Sequence, residues 1–136
     1  MNIKSPPSTK KISRLLRTVH QLPRVRILLG IGRGEACVCH LEALLGYRQA
    51  YISQHLMALR KAKLLATRRE GRYIFYRLRD PELLDLICQA GVVAGVPATE
   101  LEALTQDESL PQCICPDCGG ESKTGVELTS AAEVPQ

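Results

Sequence analysis

Residues 35–56 read EACVCHLEALLGYRQAYISQHL, and this stretch decides the fold. Val38, Leu41, Leu44 and Leu45 recur at helical spacing, Gly46 interrupts, and Ile52, Leu56 and Leu59 resume the same period with polar residues between them. Two short helices joined at a glycine make a helix-turn-helix. Cys37 and Cys39 stand at the opening of the first helix. Side chains two apart on an α-helix point about 200° apart around its axis. One ion is therefore gripped by both thiols only where the helix start is unwound or reshaped, and capture there has to disturb the helices behind it.

A length of 136 residues suits one domain with tails, and 45% hydrophobic residues with 4% aromatics predict a small aliphatic core. The net charge of +4 conceals an asymmetry: residues 1–79 hold 17 of the 18 Lys and Arg but only 3 of the 14 acids. A basic first half suits contact with nucleic-acid phosphates, whose displaced counterions supply most non-specific affinity. The N-terminal lysines have no apolar run behind them, and no segment approaches the roughly 20 apolar residues of a membrane span. The expectation is a cytoplasmic protein with no membrane partner. Six cysteines without a secretory signal read as metal ligands or redox groups before disulfides. They fall into three groups: Cys37 with Cys39, Cys88 alone, and Cys113, Cys115 and Cys118 together.

Outward from the central stretch, residues 1–9 carry Ser5-Pro6-Pro7-Ser8 and read as a mobile arm. Residues 11–20 form an amphipathic helix with Ile12, Leu15, Leu16 and Val19 on one side. A second helix begins at Leu22-Pro23 and offers Val25, Ile27, Leu28 and Leu29 to the core. It ends at Gly30-Ile31-Gly32-Arg33-Gly34, a turn and not a phosphate loop, because no strand precedes it and no Lys-Ser/Thr follows. Residues 48–63 are the reading helix: Gln49, Tyr51, Ser53 and Gln54 face a DNA major groove, and Arg48 supplies charge. Alternation in residues 66–69 and 72–78 across Glu70-Gly71 predicts a two-stranded wing whose Arg68, Arg69 and Arg72 touch the DNA backbone. Asp80-Pro81 starts a helix in which Leu83, Leu84, Leu86 and Ile87 are apolar on more than one side, as a two-fold dimer interface requires. Residues 96–120 extend the domain with a short helix over 98–104 and the cysteine cluster, and residues 121–136 lack the apolar content to fold. The fold class expected is mainly α with a small β-hairpin: a winged helix-turn-helix over residues 10–95, acting as a homodimer.

Glu35-Ala36-Cys37-Val38-Cys39-His40-Leu41 resembles the Glu-Leu-Cys-Val-Cys-Asp-Leu metal-binding box of the arsenical-resistance regulator (ArsR) family of winged-helix metalloregulatory repressors. Gly46 to Leu56 is similar to the recognition helix that follows that box, and the similarity continues through Leu59-Arg60-Lys61-Ala62 and the hairpin Arg69 to Leu78. It covers about residues 10–90, with the motifs in the family's order. The resemblance implies that the first helix helps form the dimer and that Gln49, Ala50, Tyr51, Ser53, Gln54 and His55 approach DNA. Two positions depart from the pattern: Arg48 replaces a capping Ser, and Lys63 stands where Gly often closes the helix.

Thiolates favour As(III), Cd(II), Pb(II) and Zn(II). The candidate ligands are Cys37, Cys39, Cys113, Cys115 and Cys118, with As(III) first by resemblance. Cys-Pro-Asp-Cys-Gly at the tail is also similar to a zinc-ribbon knuckle, so that cluster either holds an ion by itself, structural zinc included, or completes the site of Cys37 and Cys39 from the same subunit or the partner. Cys88 reads as a packed residue, and His40 replaces the family's Asp. The function expected is an operator-binding homodimeric repressor released by a thiophilic ion. The alternatives are a Cd(II)-, Pb(II)- or Zn(II)-responsive repressor and a redox-sensing regulator. An enzyme is not expected, since no nucleophile and base stand in a catalytic pattern.

Overall fold

The computed structural model describes residues 7–105. In chain order it contains α1 (Pro7–Val19), α2 (Leu22–Ile31), β1 (Ala36–Cys37), α3 (Val38–Leu45), α4 (Gln49–Lys61), β2 (Leu65–Glu70), β3 (Tyr73–Leu78), α5 (Glu82–Val93) and α6 (Ala98–Leu104). This is the mainly helical, winged helix-turn-helix architecture read from the sequence. Two boundaries differ from the expectation. Helix α1 already begins at Pro7, inside the stretch assigned to the arm, because proline's fixed φ suits a first helical turn. The hairpin also gains a third strand: the sheet runs β1-β3-β2, with Ala36 opposite Tyr76 and Cys37 opposite Phe75.

The core lies where α2, α3, α4 and α5 meet the sheet. Ile27 and Leu28 of α2, Leu41 of α3 and Ile52, Leu56 and Leu59 of α4 are almost fully enclosed, joined by Leu65, Leu78, Leu83 and Leu84. Ile52, Leu56 and Leu59 are spaced by four and three, so one face of α4 is buried and the opposite face is left to solvent. Gly46, at φ 77°, takes the left-handed conformation that ends α3, and its N–H donates to the Glu42 carbonyl at 2.9 Å. At the start of α5 the Asp80 carboxylate accepts the Glu82 N–H at 3.0 Å, the capping role expected of it.

The amphipathic stripe of α1 is only partly used. Val19 is buried, whereas Ile12 and Leu16 remain 58% and 47% exposed. Helix α5 likewise buries Leu83 and Leu84 and leaves Leu86, Val92 and Val93 exposed. No helix among the described residues is long and apolar enough to cross a membrane.

Candidate functional site

The two thiols of the central stretch do not lie as the helical reading required. Cys37 belongs to β1 and caps α3, with φ −94° and ψ 172°, while Cys39 lies in the first helical turn. An extended residue followed by two helical ones turns both side chains to one side. The Sγ atoms stand 2.9 Å apart. The approximately 200° divergence is therefore removed by pairing with β3, and the helix start comes already reshaped. The His40 N–H donates to Cys37 Sγ at 3.4 Å, an arrangement at a helix N-terminus that suits a charged sulfur.

Cys37 is buried against Phe75, and Cys39 is half-buried beside it. Both line a cleft of about 400 Å³ together with Glu42, Gln49, Ser53, Arg72 and Tyr73. One cavity thus joins the thiols to the first turns of the reading helix and to the wing. Two soft donors fit a thiophilic ion. Among the described residues no group of three His, Cys, Asp or Glu side chains is placed to hold one. Cys113, Cys115 and Cys118 lie outside the described residues. Cys88 packs against the main core, as expected of it. His40 is buried and also lines a second cavity, with Arg26, Leu29 and Leu44.

On α4, Gln49, Ala50, Tyr51 and Gln54 are exposed, Ser53 is half-exposed, and Arg48 is exposed just ahead of the helix with no side-chain cap. Met57, which the sequence reading passed over, continues that face three residues after Gln54 and is 67% exposed. His55 departs from its expected role at DNA. It is buried, its Nδ1 accepts from Arg24 Nε at 3.1 Å, and Tyr51 packs edge-on against its ring. Accepting at Nδ1 places the proton of the neutral ring on Nε2. Burial first, and the Arg24 charge second, hold the imidazole pKa below its ordinary value. Arg24 also donates from Nη1 to the Thr18 carbonyl at 2.8 Å, so His55 helps join α4 to α2 and the end of α1.

The wing arginines divide into two kinds. Arg69 and Arg72 are exposed on either side of Gly71, where the tip turns. Arg68 is exposed as well, but its guanidinium is already engaged within the protein. Its Nη2 and Nε both reach Glu35 Oε1, at 2.7 and 2.9 Å, and its Nη1 reaches Glu70 at 3.0 Å. The guanidinium lies 4.6 Å over the Phe75 ring. The Glu35 hydrogen bonds, followed by those of Glu70, hold its pKa above the ordinary arginine value. Glu35, Phe75 and Arg24 thus have roles that local spacing gave no sign of, because each acts on a residue distant in sequence.

Residues 23–67 match the model for the arsR family of bacterial regulatory proteins. A biofilm growth-associated repressor of Agrobacterium fabrum is 39% identical over 77 residues, 57% of this chain and 66% of that protein. An arsenic resistance transcriptional regulator of Pseudomonas putida is 44% identical over 75 residues, 53% of this chain and 59% of that protein. The chain therefore spans about three fifths to two thirds of the length of these relatives. Among solved structures, reduced HlyU from Vibrio cholerae superposes with a TM-score of 0.60 at 29% identity, covering 65% of this chain and 94% of that one. With the helix-turn-helix, the hairpin wing and the box around Cys37 and Cys39 all in place, the chain belongs to the arsR family of bacterial regulatory proteins.

Proposed function

We propose that this protein is a cytoplasmic transcriptional repressor that binds operator DNA as a homodimer and lets go when Cys37 and Cys39 capture a thiophilic ion, arsenite first. The observation that carries the reading is the thiol pair, 2.9 Å apart, in a cleft shared with Gln49 and Ser53 of the reading helix and Arg72 of the wing. An ion lowers DNA affinity only by binding the DNA-incompetent form more tightly. Placing the ligands between the two DNA-facing elements provides that difference. The name of the Pseudomonas putida relative favours arsenic as effector. Cd(II), Pb(II) and Zn(II) are the competing ions for the same sulfurs. The protein performs no chemistry on its ligands in this account.

Dimerisation is supported by the apolar surface left open on α1 and α5, which a second copy covers, and two reading helices then meet two half-sites. DNA contact is assigned to Arg48, Gln49, Ala50, Tyr51, Ser53 and Gln54 on the helix and to Arg69 and Arg72 on the wing. A third thiol is assigned to the Cys113, Cys115 and Cys118 cluster of the same subunit. The Thr105 carbonyl lies beside Gly32, and the five residues from Gly32 to Cys37 span at most about 18 Å. The eight residues from Thr105 to Cys113 reach up to about 28 Å, enough to bring a tail cysteine to the pair.

The test uses a fluorescent duplex selected from a random pool by the ion-free protein. The Cys37→Ser, Cys39→Ser double variant should bind it as tightly as wild type and stay bound when arsenite is added. Release equal to that of wild type refutes the assignment. A second reading, a redox switch, is favoured by the close approach of the two sulfurs and by the structural likeness to reduced HlyU. Release by hydrogen peroxide but not by arsenite selects it.

A further inference from the structure

We propose that the Glu35–Arg68 ion pair, closed over Phe75, is the positioning element that carries ion capture at Cys37 and Cys39 into the wing. The proposal rests on the thiol-sensor reading given above. Cys37, Phe75 and Arg68 are direct cross-strand partners on β1, β3 and β2. Partners in register project from one face of a sheet, so the three side chains form a row. Phe75 is fully buried in contact with Cys37, and the Arg68 guanidinium covers its ring at 4.6 Å. The same guanidinium grips Glu35, two residues before Cys37, through Nε and Nη2. The pair therefore ties the residue that leads into β1 to β2, and these two strands are not neighbours in the sheet. Arg68 leads directly into Arg69 and the wing tip.

This connection matters because something near the thiols has to yield. Two thiolates sharing one tetrahedral ion at about 2.3 Å stand roughly 3.8 Å apart. The observed pair is at 2.9 Å and must open. Cys39 is carried by α3, which is fixed in the core through the fully buried Leu41. Cys37 is carried by a strand of two residues at the edge of the sheet, paired with β3 alone. With the ion pair closed, a shift of that strand draws Arg68 and the wing along. With it open, β1 absorbs the shift alone. A surface ion pair contributes little to stability in general. The two-point grip of Arg68 on a Glu35 side chain only 24% exposed gives this one a geometry to transmit.

The experiment uses the full chain as wild type, Glu35→Gln, Arg68→Gln and the charge-exchanged double variant Glu35→Arg, Arg68→Glu. Cd(II) uptake is followed by sulfur-to-metal absorption, DNA release by anisotropy of the selected duplex, and wing response by hydrogen exchange over residues 65–78. Both single variants should take up Cd(II) and bind ion-free DNA within about threefold of wild type. Their ion-induced loss of DNA affinity should fall to below about twofold, from the 5- to 150-fold usual for coupled sites. The Cd(II)-dependent change in wing exchange should vanish with it, and the exchanged double variant should recover part of both. If Arg68→Gln fails to fold, the nearly isosteric Glu35→Gln carries the test. Wild-type release and wing response in Glu35→Gln overturn the proposal while leaving the sensor reading intact. Absence of Cd(II) uptake at the thiols of the wild type sinks the sensor reading and this proposal together.

Discussion

Replacing Lys63 by glycine should stabilise the protein by about 1 kcal/mol, although it removes a long side chain and adds no contact. Lys63 follows the last turn of the reading helix at φ 64°, the one non-glycine residue at positive φ among the described residues. Its N–H donates to the Arg60 carbonyl at 2.8 Å, and the Leu64 N–H donates to the Leu59 carbonyl at 3.0 Å. These two bonds are the Schellman pattern, in which the residue at position 63 is ordinarily glycine. An L side chain held in the left-handed region costs about 1–2 kcal/mol. Glycine returns about 0.4–1 kcal/mol of that through the greater freedom of the unfolded chain. The remainder, about 0–1.6 kcal/mol and centred near 0.8, raises the melting temperature by up to roughly 8 °C for a domain of this size. Thermal unfolding of wild type, Lys63→Gly and Lys63→Ala at one protein concentration reads the effect without interference from assembly. Alanine meets the same backbone clash as lysine, so it should leave the midpoint within about 2 °C of wild type. Equal stabilisation by alanine and glycine, or destabilisation by glycine, refutes the argument from backbone strain.

Stability should also fall with acidity because of His55. Its folded-state pKa is lowered by burial and by Arg24, so the unfolded chain binds the proton more readily. The contribution is complete above the unfolded value of about 6.5 and is lost as pH drops through the folded value, a slope that His55→Gln should flatten in urea titrations between pH 5 and 8. Arg69→Gln and Arg72→Gln should each weaken binding to all duplexes alike and reduce the salt dependence by about one counterion, as read from affinity against salt concentration. A change in sequence preference instead would place those side chains at base edges. Leu16→Asp should convert the proposed dimer into monomer in sedimentation experiments and weaken operator binding with it; a dimer unchanged from wild type would remove α1 from the interface.

The helical elements were legible in the sequence because their information is local. The spacing of Ile52, Leu56 and Leu59, the break at Gly46 and the Asp80 cap each depend on residues within one or two turns, and the structure follows them. The thiol geometry was not legible. Cys37 is extended because β1 pairs with Phe75 and Tyr76 of β3, and nothing in the local period of residues 38–45 signals a partner so far along the chain. The same cause hid His55 and Arg68. The family resemblance put His55 at DNA and the wing-tip cluster put Arg68 there, but Arg24 stands 31 residues from His55 and Glu35 stands 33 residues from Arg68. Lys63 lies between these cases: its departure from a glycine position was visible in the sequence, and its backbone conformation explains why glycine belongs there.

The most direct test of the account is an arsenite titration of the ion-free protein on its selected duplex, with sulfur-to-arsenic absorption and DNA anisotropy read in the same cuvette. The two signals should change together in the wild type, and the Cys37→Ser, Cys39→Ser variant should hold its DNA throughout. Loss of DNA by that double variant at the same arsenite concentration as wild type would contradict the central claim, because the trigger would then lie outside the thiol pair.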